Sequence, residues 1–187
     1  SELSKSANKE TGIIFRIGIS ASQPVTAEGD FFNEAIKLAH RLSTTVQPNQ
    51  ILISSLVKKL CKEEQFTTDN DLLKSLTAKE EEFISNLMHV AEAKLSDQHF
   101  DLNSISSEIC ISRPQLYRKI TALTGRSPHH FMLDLRMDKA LALLKQKNNN
   151  IAEIAYQTGF NSPSYFAKCF SEKFGCTPSL FAKINVA

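Results

Sequence analysis

The sequence lacks any apolar run approaching the roughly 20 residues that a membrane helix requires. It also lacks a signal-peptide pattern at Ser1–Thr11. Both absences argue against membrane spanning and secretion, and a cytoplasmic protein with no membrane partner is expected. Cysteine is sparse. Cys61, Cys110, Cys169 and Cys176 form no C-x-x-C pair and sit among apolar neighbours, so they read as reduced, buried small hydrophobes. None has zinc-finger spacing and His129–His130 lie far from them, so neither a metal nor another cofactor is expected. The remaining composition, 42% hydrophobic and 22% charged over 187 residues, suits one soluble domain or two small ones.

Net charge is nearly absent too, at +2 from 22 basic and 20 acidic residues. That figure averages unlike segments. Ser1–Ala78 holds 9 Lys/Arg and 9 Asp/Glu, whereas Cys110–Ala187 holds 11 Lys/Arg against 4 Asp/Glu, an excess of +7. Such asymmetry fits a polyanion partner for the C-terminal part or a solubilising surface, and charge alone does not separate the two.

The polar stretch Glu63–Asp71 breaks the apolar pattern and reads as a linker, placed at 65–77 between a segment at 1–64 and a domain at 78–187. Thr77-x-x-Glu80 is a capping box followed by Phe83, Ile84, Leu87, Met88, Ala91 and Leu95 at helical spacing. Short helices with clear caps succeed it. Asp101 opens one with Leu102, Ile105 and Ile109; Ser112-x-x-Gln115 opens one with Leu116, Ile120 and Leu123 that ends at Gly125. Ser127-Pro128 starts a longer helix through Phe131, Leu135, Leu141 and Leu144, and Asn150 caps Ile151–Gln157. Ser162-Pro163 begins a helix with Phe166 and Phe170 that ends at Gly175, and Thr177-Pro178 a last short one. Strand signal is slight after Leu72. The predicted fold class is α+β overall, with an all-α C-terminal domain and a small N-terminal α/β segment.

An internal repeat sharpens the prediction. Leu102, Ile105, Ser106, Cys110 and Ile111 match Ile151, Ile154, Ala155, Gly159 and Phe160 at an offset of 49. Leu116, Arg118, Ile120, Gly125 and Pro128 match Phe166, Lys168, Phe170, Gly175 and Pro178 at an offset of 50. The second copy thus has one extra residue in its turn. Each copy, about 101–125 and 150–175, is a helix, a tight turn and a second helix: a helix-turn-helix unit. Ser106 and Ala155 are small where the two helices cross, and Gly159 suits a left-handed turn position.

In such a unit the second helix enters the major groove with its N-terminal residues on the base edges. With Leu116, Ile120 and Leu123 facing inward, Arg113, Pro114, Tyr117 and Arg118 face out; in the second copy Ser164, Tyr165 and Lys168 do. Arg118 can pair bidentately with guanine. Lys119, Arg126 and Lys173 flank the helices and suit phosphates. Gln115 is either a base reader or held on its own backbone by the capping box, and Ser162 joins the candidate contacts at its helix start. The intervening helix sets the separation, which must be about one duplex turn, roughly 34 Å, if both address one face.

These residues resemble the AraC/XylS family of bacterial transcription regulators over Glu81–Lys183. The likeness is carried by Ile105-Ser106, Ser112, Leu116-x-Arg118, Gly125-x-Ser127-Pro128, Arg136-Met137-x-x-Ala140, Ile151-Ala152-Glu153-Ile154-Ala155, Gly159-Phe160, Tyr165-Phe166 and Phe174-Gly175-x-Thr177-Pro178-Ser179. The resemblance implies sequence-specific binding of double-stranded DNA and control of transcription, often through contact with RNA polymerase. Two positions depart from it: Lys168 replaces the usual Arg and loses its fork, and Ala182 replaces an Arg often found after the closing motif. Weaker base readout by the second unit follows.

In the N-terminal third, the β-rich Ile13–Ser20, a helical Phe31–Leu42, the strand-like Ile51–Ser54 and a short helix Ser55–Cys61 give a β-α-β-α order. Arg16-Ile17-Gly18-Ile19, Gly29-Asp30-Phe31-Phe32, Ala39-x-Arg41-Leu42 and Pro48–Ser54 resemble the C-terminal part of a class III nucleotidyl cyclase domain. The family's catalytic Asn position is Lys37, and the strand and hairpin bearing its metal-binding aspartates would lie upstream. No cyclase activity, and no enzyme, is expected from this chain. Arg41 then reads as a surface or salt-bridge residue. Ser1 fits a trimmed fragment or a chain that has lost its initiator Met. An open half-sheet would carry apolar surface, which predicts self-association. The competing reading is a nucleotide-binding or cyclase-related sensor or enzyme with the helical domain as its output.

Overall fold

The computed structural model describes residues 14–22, 33–61, 72–146 and 150–185. The Gly29–Phe32 motif, the start of the first strand at Ile13 and most of the 65–77 linker lie outside the described residues. The chain divides into two compact units, Ser1–Met88 with Ala122–Gly125, and His89–Thr121 with Arg126–Ala187. The described residues are mostly helical, with one small sheet.

In the first unit the order is β1 (Arg16–Ile19), α1 (Asn33–Thr45), β2 (Gln50–Ile53), α2 (Ser55–Leu60) and β3 (Leu73–Ser75). The three strands are parallel in the order β1-β2-β3, with Ile17 opposite Ile51 and Ile51 opposite Leu73. Gly18 lets α1 close on β1: a Cβ there would stand 2.1 Å from the Ala39 carbonyl oxygen and 2.7 Å from the Leu42 Cβ. Ser54 caps α2 by accepting from the Val57 N–H at 3.2 Å. Lys37 pairs with Glu34 at 3.3 Å on the surface of α1.

The strand β3 departs from the sequence reading, which gives little strand signal after Leu72 and a linker there. Leu73-Lys74-Ser75 has neither the length nor the β-branched content of an autonomous strand. It is extended because β2 offers it a ladder: the Ile51 N–H donates to Leu72 O at 2.6 Å and the Leu76 N–H to Ile53 O at 3.0 Å. A long-range constraint of this kind leaves no local trace.

Helix α3 (Ala78–Lys94) starts at the capping box, with both arms formed. The Thr77 N–H donates to Glu80 Oε2 at 2.8 Å and the Glu80 N–H to Thr77 Oγ1 at 3.3 Å. Then follow α4 (Leu102–Glu108), α5 (Arg113–Thr124), α6 (Pro128–Leu144), α7 (Ile151–Gln157), α8 (Pro163–Phe174) and α9 (Pro178–Asn185). Asp101, Ser127, Asn150 and Ser162 occupy cap positions as the sequence predicts.

The repeat extends to individual backbone hydrogen bonds. Ile111 N–H donates to Ser106 O at 3.1 Å, and Phe160 N–H to Ala155 O at 2.9 Å. Leu116 N–H donates to Ser112 O and Phe166 N–H to Ser162 O, each at 2.9 Å. Phe131 N–H to Ser127 O and Phe181 N–H to Thr177 O repeat this where α6 and α9 begin, again both at 2.9 Å. The turn residues are left-handed in both copies, with φ of 55° at Cys110 and 79° at Gly159. Only the second position requires glycine for space: a Cβ on Gly159 would stand 2.4 Å from the Leu95 carbonyl oxygen.

Cys110 corrects the reading of the cysteines as buried. It is exposed, Cys61 and Cys176 are half-buried, and only Cys169 is in the core; all four are free thiols. Cys110 is held where its backbone must turn rather than where its side chain would be shielded.

Two consequences can be measured by chemical denaturation. Gly159→Ala combines a left-handed backbone with a backbone clash and should cost about 2 kcal/mol or more. Cys110→Gly relieves the strained φ without opening a core cavity and should stabilise by about 0.5–1 kcal/mol. The pH dependence is also set locally. Hydrogen bonds from the Ser104 and Asn103 backbone hold the Asp101 carboxyl below its ordinary pKa. The cap is therefore intact above the ordinary aspartate range and lost as pH falls through the lowered value, where the protection of the Asn103 and Ser104 amides, taken relative to their intrinsic exchange rates at each pH, should fall.

Candidate nucleic-acid interface

Each second helix presents a polar outer face because its apolar side chains are consumed by the core. On α5, Leu116 and Ile120 are buried while Arg113, Pro114, Gln115, Tyr117 and Arg118 are exposed and Lys119 is half-buried. On α8, Phe166, Cys169 and Phe170 are buried while Ser162, Ser164, Tyr165 and Lys168 are exposed. All the candidates therefore lie outside the core, in two sets carried by equivalent helices.

The capping geometry decides an open point about Gln115. Ser162 accepts from the Tyr165 N–H at 3.3 Å, which holds the start of α8. No equivalent exists at α5: among the described residues, neither the Ser112 nor the Gln115 side chain makes a hydrogen bond. Gln115 is left exposed, with its amide uncommitted. Lys168 is weakly engaged, 3.9 Å from Glu172 one turn along, with both side chains mostly exposed. Tyr165 leans on Phe160 with ring centroids 6.0 Å apart, and the Cys169 thiol one turn along raises its phenol pKa.

Arg126 and Lys173, whose flanking positions suggest phosphate contacts, are engaged by side chains within the protein. Both are consumed by a carboxylate cluster on α6. Arg126 Nη1 pairs with Asp134 Oδ2, and Lys173 Nζ reaches Asp134 Oδ1 and Asp138 Oδ1, each at 2.9 Å. Lys173 also donates to the Asp134 carbonyl oxygen at 3.2 Å. The sequence does hold a signal for this: Asp134 and Asp138 stand four apart, so both carboxylates fall on one helix face. They are two of only four acids in the basic C-terminal segment.

The second unit is closed by aromatic packing. Phe160–Phe166, Phe166–Phe170 and Phe170–Phe181 centroids are 5.3, 5.9 and 5.8 Å apart, and Phe170–Phe174 are 4.5 Å apart. Met137, Ala140 and Leu144 of α6 belong to the same core. The α6 helix is thus fastened to α8 by packing on one side and by ion pairs on another.

Among the described residues no group of His, Cys, Asp and Glu side chains could hold a metal ion. No helix among them is long and apolar enough to cross a membrane.

The comparisons with known proteins fall on this same region. A family model described as a helix-turn-helix domain matches residues 105–184. The solved structure of a transcriptional regulator with an AraC-type DNA-binding domain, from Chromobacterium violaceum, matches with a TM-score of 0.54 at 25% identity. The match covers 58% of this chain and 96% of that one.

The C-terminal part of the chain is an AraC-type helix-turn-helix domain.

Among sequence relatives, this AraC-type domain matches a protein named histidine kinase P4 from Formosa agariphila, 36% identical over 107 residues, covering 57% of this chain and 8% of that protein. It also matches YidL of Escherichia coli K12, named as an uncharacterized HTH-type transcriptional regulator, 35% identical over 100 residues, covering 54% of this chain and 33% of that one. The chain spans a third or less of the length of these curated relatives.

The Asp134 cluster offers a direct test of how the AraC-type domain holds together. Asp134→Ala leaves Arg126 and Lys173 half-buried without their shared partner and should cost about 1–2 kcal/mol in urea unfolding. The loss should shrink little with salt, because these charges are partly shielded from solvent.

Proposed function

We propose that this protein is a sequence-specific DNA-binding transcription regulator that reads two adjacent major-groove segments with α5 and α8. The observation that carries the reading is the duplicated helix-turn-helix unit, with matching turn and cap hydrogen bonds and an exposed polar face on each second helix. The relatives named as transcriptional regulators support it, and they favour a regulator over an enzyme. The basic excess of +7 in Cys110–Ala187 supplies the long-range attraction to a polyanion.

In this reading Arg113, Pro114, Gln115, Tyr117 and Arg118 address the first segment, and Ser162, Ser164, Tyr165 and Lys168 the second. Arg118 reads a base, Lys119 neutralises a phosphate, and Gln115 is available for an adenine edge since no cap holds its amide. Contact with RNA polymerase and a cytoplasmic location belong to the same proposal, on the family resemblance. The N-terminal unit is read as a remnant of a cyclase-like fold, supported by its β-α-β-α order and by the tight seating of α1 over Gly18. Its exposed Ile17 and Ile19 on β1 and Ile36 on α1 support self-association through this unit. A monomer in sedimentation at about tens of micromolar would count against that association.

Binding-site selection from random duplexes tests the main reading. On the selected site, Arg118→Ala should relax preference at one position by about 1–3 kcal/mol. Lys119→Ala should weaken selected and random duplexes alike and reduce the salt slope by about one phosphate's worth. Wild-type affinity in both variants at moderate salt would refute this placement of the helices.

A further inference from the structure

A cavity of about 520 Å³ opens within the compact unit His89–Thr121 with Arg126–Ala187, walled by the start of α4, one side of α6 and the turn between α7 and α8. Phe100, Leu102, Met132, Leu133 and Phe160 make much of its wall apolar, and Arg136 supplies charge. The volume lies in the range of roughly 300–1,000 Å³ that suits small ligands.

Arg136 is incompletely paired. Its Nη2 donates to the Asp97 and Phe100 carbonyl oxygens at 3.3 and 3.4 Å, both long contacts. Its Nε is buried and has no hydrogen-bond partner. No carboxylate oxygen lies within ion-pair distance among the described residues. The remaining support is the Phe160 ring, 5.9 Å from the guanidinium carbon and itself part of the cavity wall. Burial pushes the guanidinium pKa down, and only the field of Asp97 opposes this. Asp101, the single carboxylate lining the cavity, is committed to its cap through Asn103 and Ser104. The Arg136 Nε is sealed from solvent and out of a ligand's reach; what the cavity offers is an apolar wall and a guanidinium with no carboxylate partner, an arrangement complementary to a carboxylate on a hydrophobic body.

We propose that this cavity binds a small organic carboxylate with an apolar body, and that Arg136 is its counter-ion. Arg113 and Tyr165 also line the cavity. On the proposed function they read bases, so occupancy alters DNA affinity; that coupling rests on the DNA-binding reading, whereas the site itself does not.

The test is an amide-shift titration of the full chain with 3-phenylpropionate. Saturable shifts should concentrate at Leu102, Gly159 and Phe160, and the neutral 3-phenylpropanamide should bind about tenfold more weakly or worse. Leu133→Trp fills the cavity and should abolish the shifts while retaining the native spectrum elsewhere. Arg136→Lys keeps a charge without the fork and should weaken the acid more than the amide. No shift by about 10 mM, equal binding of acid and amide, or full binding by Leu133→Trp would each overturn the site. Inorganic phosphate acting as strongly as 3-phenylpropionate would mark a bare-anion site and overturn the organic ligand. On a selected duplex, 3-phenylpropionate should change the affinity of the wild type and not of Leu133→Trp. An unchanged wild-type affinity would overturn the coupling, and failure to select any duplex would refute the DNA-binding reading while leaving the titration to judge the site.

Discussion

The single left-handed residue between the helices of each unit is the constraint on which the C-terminal architecture depends. It reverses the chain so tightly that the next amide bonds back to the residue at the helix crossing, Ile111 to Ser106 and Phe160 to Ala155. That closure brings the second helix back against the first beside Ser106 or Ala155, both small residues. Once the crossing is set, the buried face of the second helix must be the one bearing Leu116 and Ile120, or Phe166 and Phe170. The polar face is then outward by elimination, and the putting-forward of Arg118 or Lys168 is a consequence of the turn. The copies solve the turn differently: the Cys110 side chain is exposed, whereas the Leu95 carbonyl leaves room only for glycine at position 159.

The helix α6 anchors the second unit as the turn anchors its two helices. It lends Met137, Ala140 and Leu144 to the aromatic core of the second unit and uses Asp134 and Asp138 to grip Lys173 at the end of α8. Arg126, immediately before the Ser127 cap, closes the cluster from the other end. Two basic residues are thereby withdrawn from the surface charge, so a count of Lys and Arg overstates what a polyanion meets.

Much of this was legible in the sequence because it is local. Caps such as Thr77, Asp101, Asn150 and Ser162 act within one turn of themselves, and the offset of 49 then 50 aligns the copies without any structure. The outward positions of α5 and α8 follow from the same periodicity. What escaped depends on tertiary partners or on backbone conformation rather than on apolar periodicity. β3 is a strand only because β2 pairs with it, Arg126 and Lys173 are bound only because α6 brings Asp134 to them, and Cys110 is exposed despite its apolar neighbours. The repeat held one unused clue, since a residue aligned with Gly159 was bound to share its left-handed backbone.

The extra residue in the second turn, Asn161, has a further consequence. Two units that follow one another along a single chain, with different turns and different outward side chains, have no two-fold axis relating them. On the proposed reading, the target of one chain is consequently directional: read end for end, the same base pairs meet the wrong helix. The polarity of the polypeptide is thereby carried over to the duplex, and a lone copy of the protein has a defined heading along it.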